Sequence, residues 1–404
     1  MNPTIEYLFS LHTFGMKFGL RNIRSLLHFC GDPHHQLRTV HIAGTNGKGS
    51  TSSMIASILT AAGYSVGLYT SPHLVSFNER IRINGVMIPE KDLVRYVRKL
   101  RPEIERLHAT FFEATTAIAF RYFADQQVDI AVIETGLGGR LDSTNVLRPM
   151  VSVITSIGKD HTQQLGTTLY DIASEKAGII KRNIPIVMGN LTGVARKTII
   201  EAAKKKHSPW IAASKINAPK GIQIELKGIH QRANARTALA TISLVTKHFL
   251  IGDQAVKQGL EQTSALSGLR ARYEFHKGHP DVVLDVAHNP DGIKTLVTEL
   301  SELTYQRIVI LFAVMKDKDY RSMLKQFKKL HPVIVATQPA GERALPSGVL
   351  HSVCQSMGFH SYETKNLREA YQIAKKKSGQ KGLLIVTGSH YLIGEVIPLI
   401  EKKP

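Results

Sequence analysis

From residue 39 to residue 207, short apolar runs alternate with longer amphipathic stretches. The runs at 39–43, 65–70, 128–133, 151–157 and 184–188 are rich in valine and isoleucine, as strands buried on both faces of a parallel sheet should be. Between them, 49–62, 90–107, 113–127, 168–181 and 193–207 carry apolar residues at helical spacing. Strand and helix in alternation predict a doubly wound α/β sheet. Residues 1–38 read as two helices, with Tyr7, Leu8, Leu11 and Phe14 on one and Ile23, Leu26 and Leu27 on the other. Gly15 and Gly19 flank Met16, Lys17 and Phe18, which places a loop between those helices.

The stretch 208–227 is weakly patterned and reads as a small β excursion. A helix follows from His230 to near Phe249, and another to near Thr263. Ser264-Ala265-Leu266-Ser267-Gly268, small and without period, is the best linker candidate. After it a second alternating run begins, with strands expected near 281–286, 307–314, 332–337 and 383–387. The chain therefore divides into an N-terminal P-loop doubly wound ATPase domain, 1–265, and a smaller C-terminal Rossmann-like α/β domain, 266–404. The first turn of the second domain, Asp285 to Gly292, lacks G-x-G-x-x-G, so a dinucleotide site is not supported.

The 404 residues suffice for two or three domains with proper cores. Apolar content of 43% and charged content of 21% are ordinary for a soluble globular protein. Cys30 and Cys354 are too few and too far apart for a disulfide scaffold, which points to a reducing compartment. With no basic-then-apolar leader and no apolar run of about 18 residues, the expectation is a cytoplasmic enzyme. The net charge of +20 invites a nucleic-acid reading. Its lysines, however, fall in short tracts such as Lys204 to Lys206 and Lys375 to Lys377 on polar helix faces, and a field of this sign also attracts ATP and poly-acid substrates.

The first strand runs into Gly44-Thr45-Asn46-Gly47-Lys48-Gly49-Ser50-Thr51 and then a helix. Glycines let backbone N–H groups close on phosphate oxygens, the helix offers its positive end, and the lysine adds a mobile charge. Aligned with G-x-x-x-x-G-K-[ST], the first glycine position falls on Ile42 and Gly49 takes the place of the hydroxyl. This is a compact variant; the plainer alternative is a glycine-rich turn with a surface lysine.

Ligands of open α/β sheets bind beyond the carboxyl ends of the strands, and here every such end is polar. The second strand delivers Thr70-Ser71-Pro72-His73, the third ends on Glu134, and the fourth leads to Lys159-Asp160-His161. Glu134, one strand removed from the phosphate loop, is placed to hold Mg²⁺ on nucleotide phosphates. Ser71 is located to replace the displaced hydroxyl. His161 binds a second metal, orients a phosphate or is a structural histidine. Lys176, near a helix end, reads by itself as a salt-bridged surface lysine. Asp285, His288 and Asn289 at one strand tip and Gly388-Ser389-His390 at another are the second domain's polar tips. Facing the first domain, they would make a cleft suited to joining two substrates.

Gly44 to Ser50, Thr70 to Leu74, Phe77 to Ile81, Glu134 to Asn145, Ser156 to Gly166, Glu175 to Gly178 and Asp285 to Pro290 together resemble the folylpolyglutamate synthase family, in the Mur ligase superfamily. The resemblance covers nearly the whole chain in order and implies ATP-dependent ligation of L-glutamate to folate or dihydropteroate through an acyl phosphate, with ADP and phosphate released. By position it implies that Thr45, Asn46, Gly47, Lys48, Gly49 and Ser50 bind ATP together with Asn234, Arg272 and Asp285. Ser71, Glu134, His161 and a CO₂-carboxylated Lys176 match the ligands of two Mg²⁺ sites. Lys48, Lys176 and His288 are the expected catalytic residues; His288 either assists at the nucleotide or, with Ser389, positions the incoming glutamate, and the resemblance leaves both open. Met16, Lys17, Phe18, Phe112, Glu113, Leu141, Asp142 and Ser143 would line the folate site. Where the family usually shows Pro-Gly-Arg, this chain has Gly268-Leu269-Arg270-Ala271-Arg272; Arg272 is the better match and Arg270 stays open. The resemblance also implies a monomer without nucleic-acid or membrane partners. Two rivals stand beside it: a Mur-type peptidoglycan ligase, which would place a sizeable domain before the phosphate loop, and a nucleic-acid-dependent ATPase.

Overall fold

Val40, Ile42, Ile130, Val132, Val151 and Val153 are almost wholly buried, and strands covered on both faces need helices on both sides. The computed structural model describes residues 2–11, 15, 19–217 and 221–401, so Met16, Lys17 and Phe18 lie outside the described residues. Two compact units result, one of Met1–Pro72, Asn78–Glu225 and Gln231–Leu269, the other of His73–Phe77, Leu226–His230 and Arg270–Pro404.

The first unit carries β1 (Thr39–Ala43), β2 (Val66–Tyr69), β3 (Ile81–Ile83), β4 (Val86–Met87), β5 (Ile130–Glu134), β6 (Val151–Ser156), β7 (Ile186–Asn190) and β8 (Trp210–Ala212). Their order in the sheet is β4-β3-β2-β5-β1-β6-β7-β8. All neighbours from β2 to β8 run parallel, and β3 and β4 add antiparallel edges. The chain moves outward from β1 to β2, returns to β5, then continues on the far side with β6. The tips of β2, β5, β1 and β6 are thereby side by side, at a topological switch point where α/β sheets place ligands.

In the second unit β9 (Glu274–His276), β10 (Asp281–Leu284), β11 (Ile308–Phe312), β12 (Val333–Ala336), β13 (Ser361–Glu363) and β14 (Leu383–Thr387) form a sheet of order β13-β12-β11-β14-β10-β9. Alternation along the strands sorts its core into two layers. Val283, Ile310, Phe312, Ile334 and Ile385 enter one cluster, and Val282, Leu284, Val309, Leu311, Val335, Leu384 and Val386 the other.

The expected α/β class and the long buried strands are present. Four features depart from the pattern reading. The β3–β4 hairpin and the edge strands β9 and β13 were not expected, being two or three residues long. The stretch Ser264 to Gly268 is no open linker: Thr263–Ser267 is a short helix closed by Gly268 at φ 71°. Small residues without periodicity are compatible with a single helical turn as well as with a tether.

Helix Lys48–Ala61 is buried from Ser50 to Leu59, and helix Asp253–Glu261 lies against it. A Cβ on Gly259 would stand 2.5 Å from Ile58 Cα, a backbone atom that cannot swing away. Gly259→Ala should therefore destabilise by about 1–3 kcal/mol through overpacking. Gly348→Ala, helical and facing open space, should stabilise by about 0.5 kcal/mol. Urea unfolding midpoints of the two variants should move in opposite directions.

Candidate active site

At the tip of β1 the glycine loop is strapped to the tip of β6. Thr45 N donates to Ser156 O (2.8 Å) and Asn46 N to Ser156 Oγ (3.0 Å). Ser156 Oγ and Thr155 Oγ1 donate back to Asn46 O at 2.9 and 2.8 Å. Gly158 N donates to Thr45 Oγ1 at 3.0 Å. Only glycine fits two of the loop positions: a Cβ on Gly44 would stand 1.9 Å from Thr155 Oγ1, and one on Gly47, at φ 82°, 2.4 Å from Asn234 Oδ1. Asn234 is aimed by Gln231, whose Oε1 accepts from Asn234 Nδ2 at 2.9 Å. Helix Lys48–Ala61 then begins without a side-chain cap, so its first turn, with Gly49 and Ser50, offers an anion backbone N–H groups and the positive helix end.

Lys48 Nζ lies 3.8 Å from Glu134 Oε1, and Glu134 is buried at the tip of β5. Ser71 follows β2, the other neighbour of β5, and His161 follows β6 at φ 51°. His161 N donates to Asp160 Oδ1 at 2.8 Å. Among the described residues no group of three His, Cys, Asp or Glu side chains makes a ready metal cage. One buried carboxylate with a hydroxyl and an imidazole nearby in the fold fits Mg²⁺, which keeps waters and phosphate oxygens and takes only one or two carboxylates from protein.

Lys176 is not the surface lysine its local pattern suggests. It is buried, and Nζ donates to Gly44 O at 2.8 Å, directly under the phosphate loop. Burial, aided by the charge of Lys48 and opposed by Asp160 and Asp142, pushes its pKa down to about 7. The surface salt bridge belongs instead to its neighbour: Glu175 Oε1 accepts from Arg140 Nη2 at 2.7 Å.

Phe112 lies across Gly136, where a Cβ would meet its ring at 2.5 Å, and 6.0 Å from the ring of Tyr69. Leu141, Asp142 and Ser143 close the same loop, and Asp142 Oδ2 accepts from Leu137 N at 2.9 Å. The Glu113 carboxylate is engaged in a capping box, accepting from Thr110 N at 2.8 Å, and from Asn22 Nδ2 at 3.4 Å. Its Thr-x-x-Glu spacing was a signal of this in the sequence.

In the second unit Asp285 ends β10, with Oδ1 accepting from Ala287 N (2.8 Å) and Oδ2 from Tyr273 N (2.9 Å). Burial raises its pKa, while those bonds and the charges of Arg272 and His230 oppose the rise. Arg272 sits between two left-handed residues, Ala271 at φ 56° and Tyr273 at φ 54°. Arg270 is committed elsewhere, to Glu274 at 2.7 Å and Glu401 at 2.9 Å. His288 Nδ1 donates to Val286 O at 2.9 Å, and the ring centroid is 5.1 Å from that of His390. Ser389 Oγ accepts from Tyr391 N at 3.1 Å. Pattern alone missed Ser156, Thr155 and Gln231. The first two are hydroxyls at a strand end, and Gln231 is spaced i,i+3 from Asn234 on one helix face.

Residues 42–256 match the Mur ligase middle domain, and residues 271–390 the glutamate ligase domain of Mur ligases. The chain is similar to the dihydrofolate synthase/folylpolyglutamate synthase of Bacillus subtilis (strain 168), with 35% identity over 95% of each chain. Among solved structures, Escherichia coli FolC in complex with DHPP and ADP matches with a TM-score of 0.89 at 27% identity, covering 98% of this chain and 97% of that one. The bifunctional folylpolyglutamate synthase/dihydrofolate synthase of Yersinia pestis, complexed with AMPPNP and Mn ion, matches with a TM-score of 0.88 at 27% identity and coverages of 98% and 97%.

The lowered pKa of Lys176 has a measurable sign. Folding moves it from 10.5 to about 7, so between those values the unfolded chain binds the extra proton. Stability should then climb as pH rises through that window, and this group adds no slope below it. In CO₂-free buffer, Lys176→Met should flatten the rise in urea midpoint between pH 7 and 10.5.

Proposed function

The chain belongs to the folylpolyglutamate synthase/dihydrofolate synthase family of Mur ligases, and from that premise we propose that it joins L-glutamate to folate, and to dihydropteroate, through an acyl phosphate. It is an ADP-forming ligase that consumes ATP. One observation carries the assignment to this site: Lys48 Nζ stands 3.8 Å from Glu134 at the tips of neighbouring strands β1 and β5, with the phosphate loop already strapped in place.

A carboxylate is a poor acyl donor because its leaving group would be oxide. Transfer of the γ-phosphoryl group to a carboxylate oxygen of the acceptor releases ADP and turns that oxygen into part of a good leaving group. The amine of glutamate then attacks the acyl carbon, phosphate departs, and the amine gives up a proton. Thr45 to Ser50 cradle the triphosphate, and Lys48 neutralises charge on the group in flight. Asn234, Arg272 and Asp285 bind the nucleotide. The engagement of Arg270 by Glu274 and Glu401 supports Arg272 for that task.

Ser71, Glu134 and His161 would hold one Mg²⁺, and a carboxylated Lys176 would serve a second. A divalent cation held there would supply positive charge to offset the negative charge that develops on the transferred phosphoryl group. Carboxylation suits Lys176, because an amine with a pKa near 7 is largely unprotonated at slightly alkaline pH and so able to add CO₂. Met16 to Phe18, Phe112, Glu113 and Leu141 to Ser143 line the folate site, and His288 and Ser389 receive glutamate. The ATP-binding part corresponds to 1–265 and the ligase part to 266–404. The protein acts as a cytoplasmic monomer without nucleic-acid or membrane partners; among the described residues no helix is long and apolar enough to cross a membrane. Relatives of high coverage are folate ligases, which does not favour the peptidoglycan alternative.

Purified protein given ATP, Mg²⁺ and labelled glutamate should glutamylate tetrahydrofolate and dihydropteroate. Glutamate-independent ATPase activity stimulated by DNA or RNA would instead point to the nucleic-acid rival. Lys48→Ala should lower turnover about 10²–10³-fold, and Glu134→Gln should shift the magnesium titration to higher concentration; unchanged values would remove either residue from its role. Intact mass measured in bicarbonate above pH 7 should show one added CO₂, absent from Lys176→Met. An active enzyme with an unmodified amine would retire that assignment.

A further inference from the structure

Under the folate wall lies a buried chain of hydrogen bonds that no step of the ligation uses. The Asp142 carboxylate receives three donors: Thr144 N (3.0 Å), Thr144 Oγ1 (2.5 Å) and Leu137 N (2.9 Å). A carboxylate has about four lone-pair sites, and its own loop fills most of them. Asp142 is thereby oriented before any substrate arrives.

The direction of the chain follows from proton counting. Thr144 Oγ1 has a single proton and gives it to Asp142, yet His41 Nε2 lies 2.8 Å from the same oxygen. The ring must therefore donate, which sets the Nε2–H tautomer. Its other nitrogen, Nδ1, is buried and makes no hydrogen bond. Burial pushes the pKa of His41 down to about 3, which keeps the ring neutral. An unmet acceptor nitrogen in the core has a desolvation cost, which a purely apolar residue at this position on β1 would avoid.

We propose that His41, Thr144 and Asp142 form a brace that holds the Gly136 to Ser143 loop, and with it Phe112, in the geometry that receives the pterin end of the acceptor. The proposal rests on the assignment of this wall to folate. It adds to Asp142, on the folate wall, the task of positioning that wall. The brace ends on Leu137 N, whereas the phosphate loop is tied separately to β6, so the acceptor alone should feel its loss.

Four variants test this by steady-state kinetics, each with its melting curve recorded. Thr144→Val, which keeps shape and loses the hydroxyl, should raise KM for tetrahydrofolate on the order of tenfold with KM for ATP unchanged. Thr144→Ser and His41→Gln, which keep a hydroxyl and a donor, should stay near the parent. Phe112→Ala should raise the same KM by removing the wall itself. If Phe112→Ala raises it and Thr144→Val does not, or if Thr144→Val raises both KM values alike, the brace is overturned and the folate assignment survives. An unchanged KM in Phe112→Ala overturns the folate assignment, and the brace with it. Independently of any variant, ¹⁵N shifts of the His41 imidazole in the parent protein should place the proton on Nε2; a proton on Nδ1 overturns the brace.

Discussion

The peptide at Asn46 is held at both ends by the tip of β6, and the rest of the site depends on that attachment. Its N–H is taken by Ser156 Oγ and its carbonyl by Ser156 Oγ and Thr155 Oγ1. A glycine-rich loop left free would lose much entropy on closing around phosphate. Here the protein has already ordered it by giving the Thr45 and Asn46 N–H groups to Ser156, so the uncapped first turn of the helix that follows can meet an anion without reorganisation, which is what makes such dipoles effective. The attachment requires β1 and β6 to be adjacent and parallel, as they are from Val40 to Ala43. It also requires bare backbone at Gly44, which no side chain could replace.

Two ammonium groups are drawn to that loop, and the structure treats them differently. Lys48 keeps a carboxylate partner in Glu134. Lys176 has the Gly44 carbonyl under its nitrogen and is fully removed from water, an arrangement in which a charge is costly. Proteins relieve that cost by giving up the proton, and a neutral amine beside the glycine loop is a nucleophile. The same helix satisfies its exposed end conventionally, with Glu175 on Arg140. Adjacent residues thus face opposite environments, because one points into the loop and the next points out of it.

How much of this was legible in the sequence follows from scale. Strands such as β1, β6 and β14 are five or six residues of buried valine and isoleucine, and they stand where the pattern put them. The β3–β4 hairpin pairs Arg82 with Met87 and Ile83 with Val86; its strands are too short to show a period, and its local signal is the Asn84-Gly85 turn, both residues at positive φ. Lys48 was readable from its loop alone. Lys176 was not, since local spacing marks a helix end and only the tertiary fold buries it. Glu113 shows the reverse case: a Thr-x-x-Glu capping signal was present, and the structure uses its carboxylate in that way. Contacts such as Asn234 on Gly47 join residues far apart in the chain, so residue types could not announce them.

The arginines after Gly268 show how backbone geometry separates what residue identity cannot. Arg270 and Arg272 are equivalent as letters, each a permanent cation. Arg270 is consumed by Glu274 and Glu401, a partly exposed ion cluster that links β9 to the C-terminal helix His390–Glu401. Arg272 is carried between two non-glycine residues of positive φ and beside the buried carboxylate of Asp285. Each such residue costs roughly 1–3 kcal/mol, and a fold keeps two in succession around one arginine only where other interactions over-determine the segment. Tyr273 N on Asp285 Oδ2 is one of those interactions. The strain and the carboxylate therefore act on the same short segment and fix a cation beside an acid at the tip of β10, where a bridging ligand with both donor and acceptor groups, such as a ribose or an adenine edge, would find its complement.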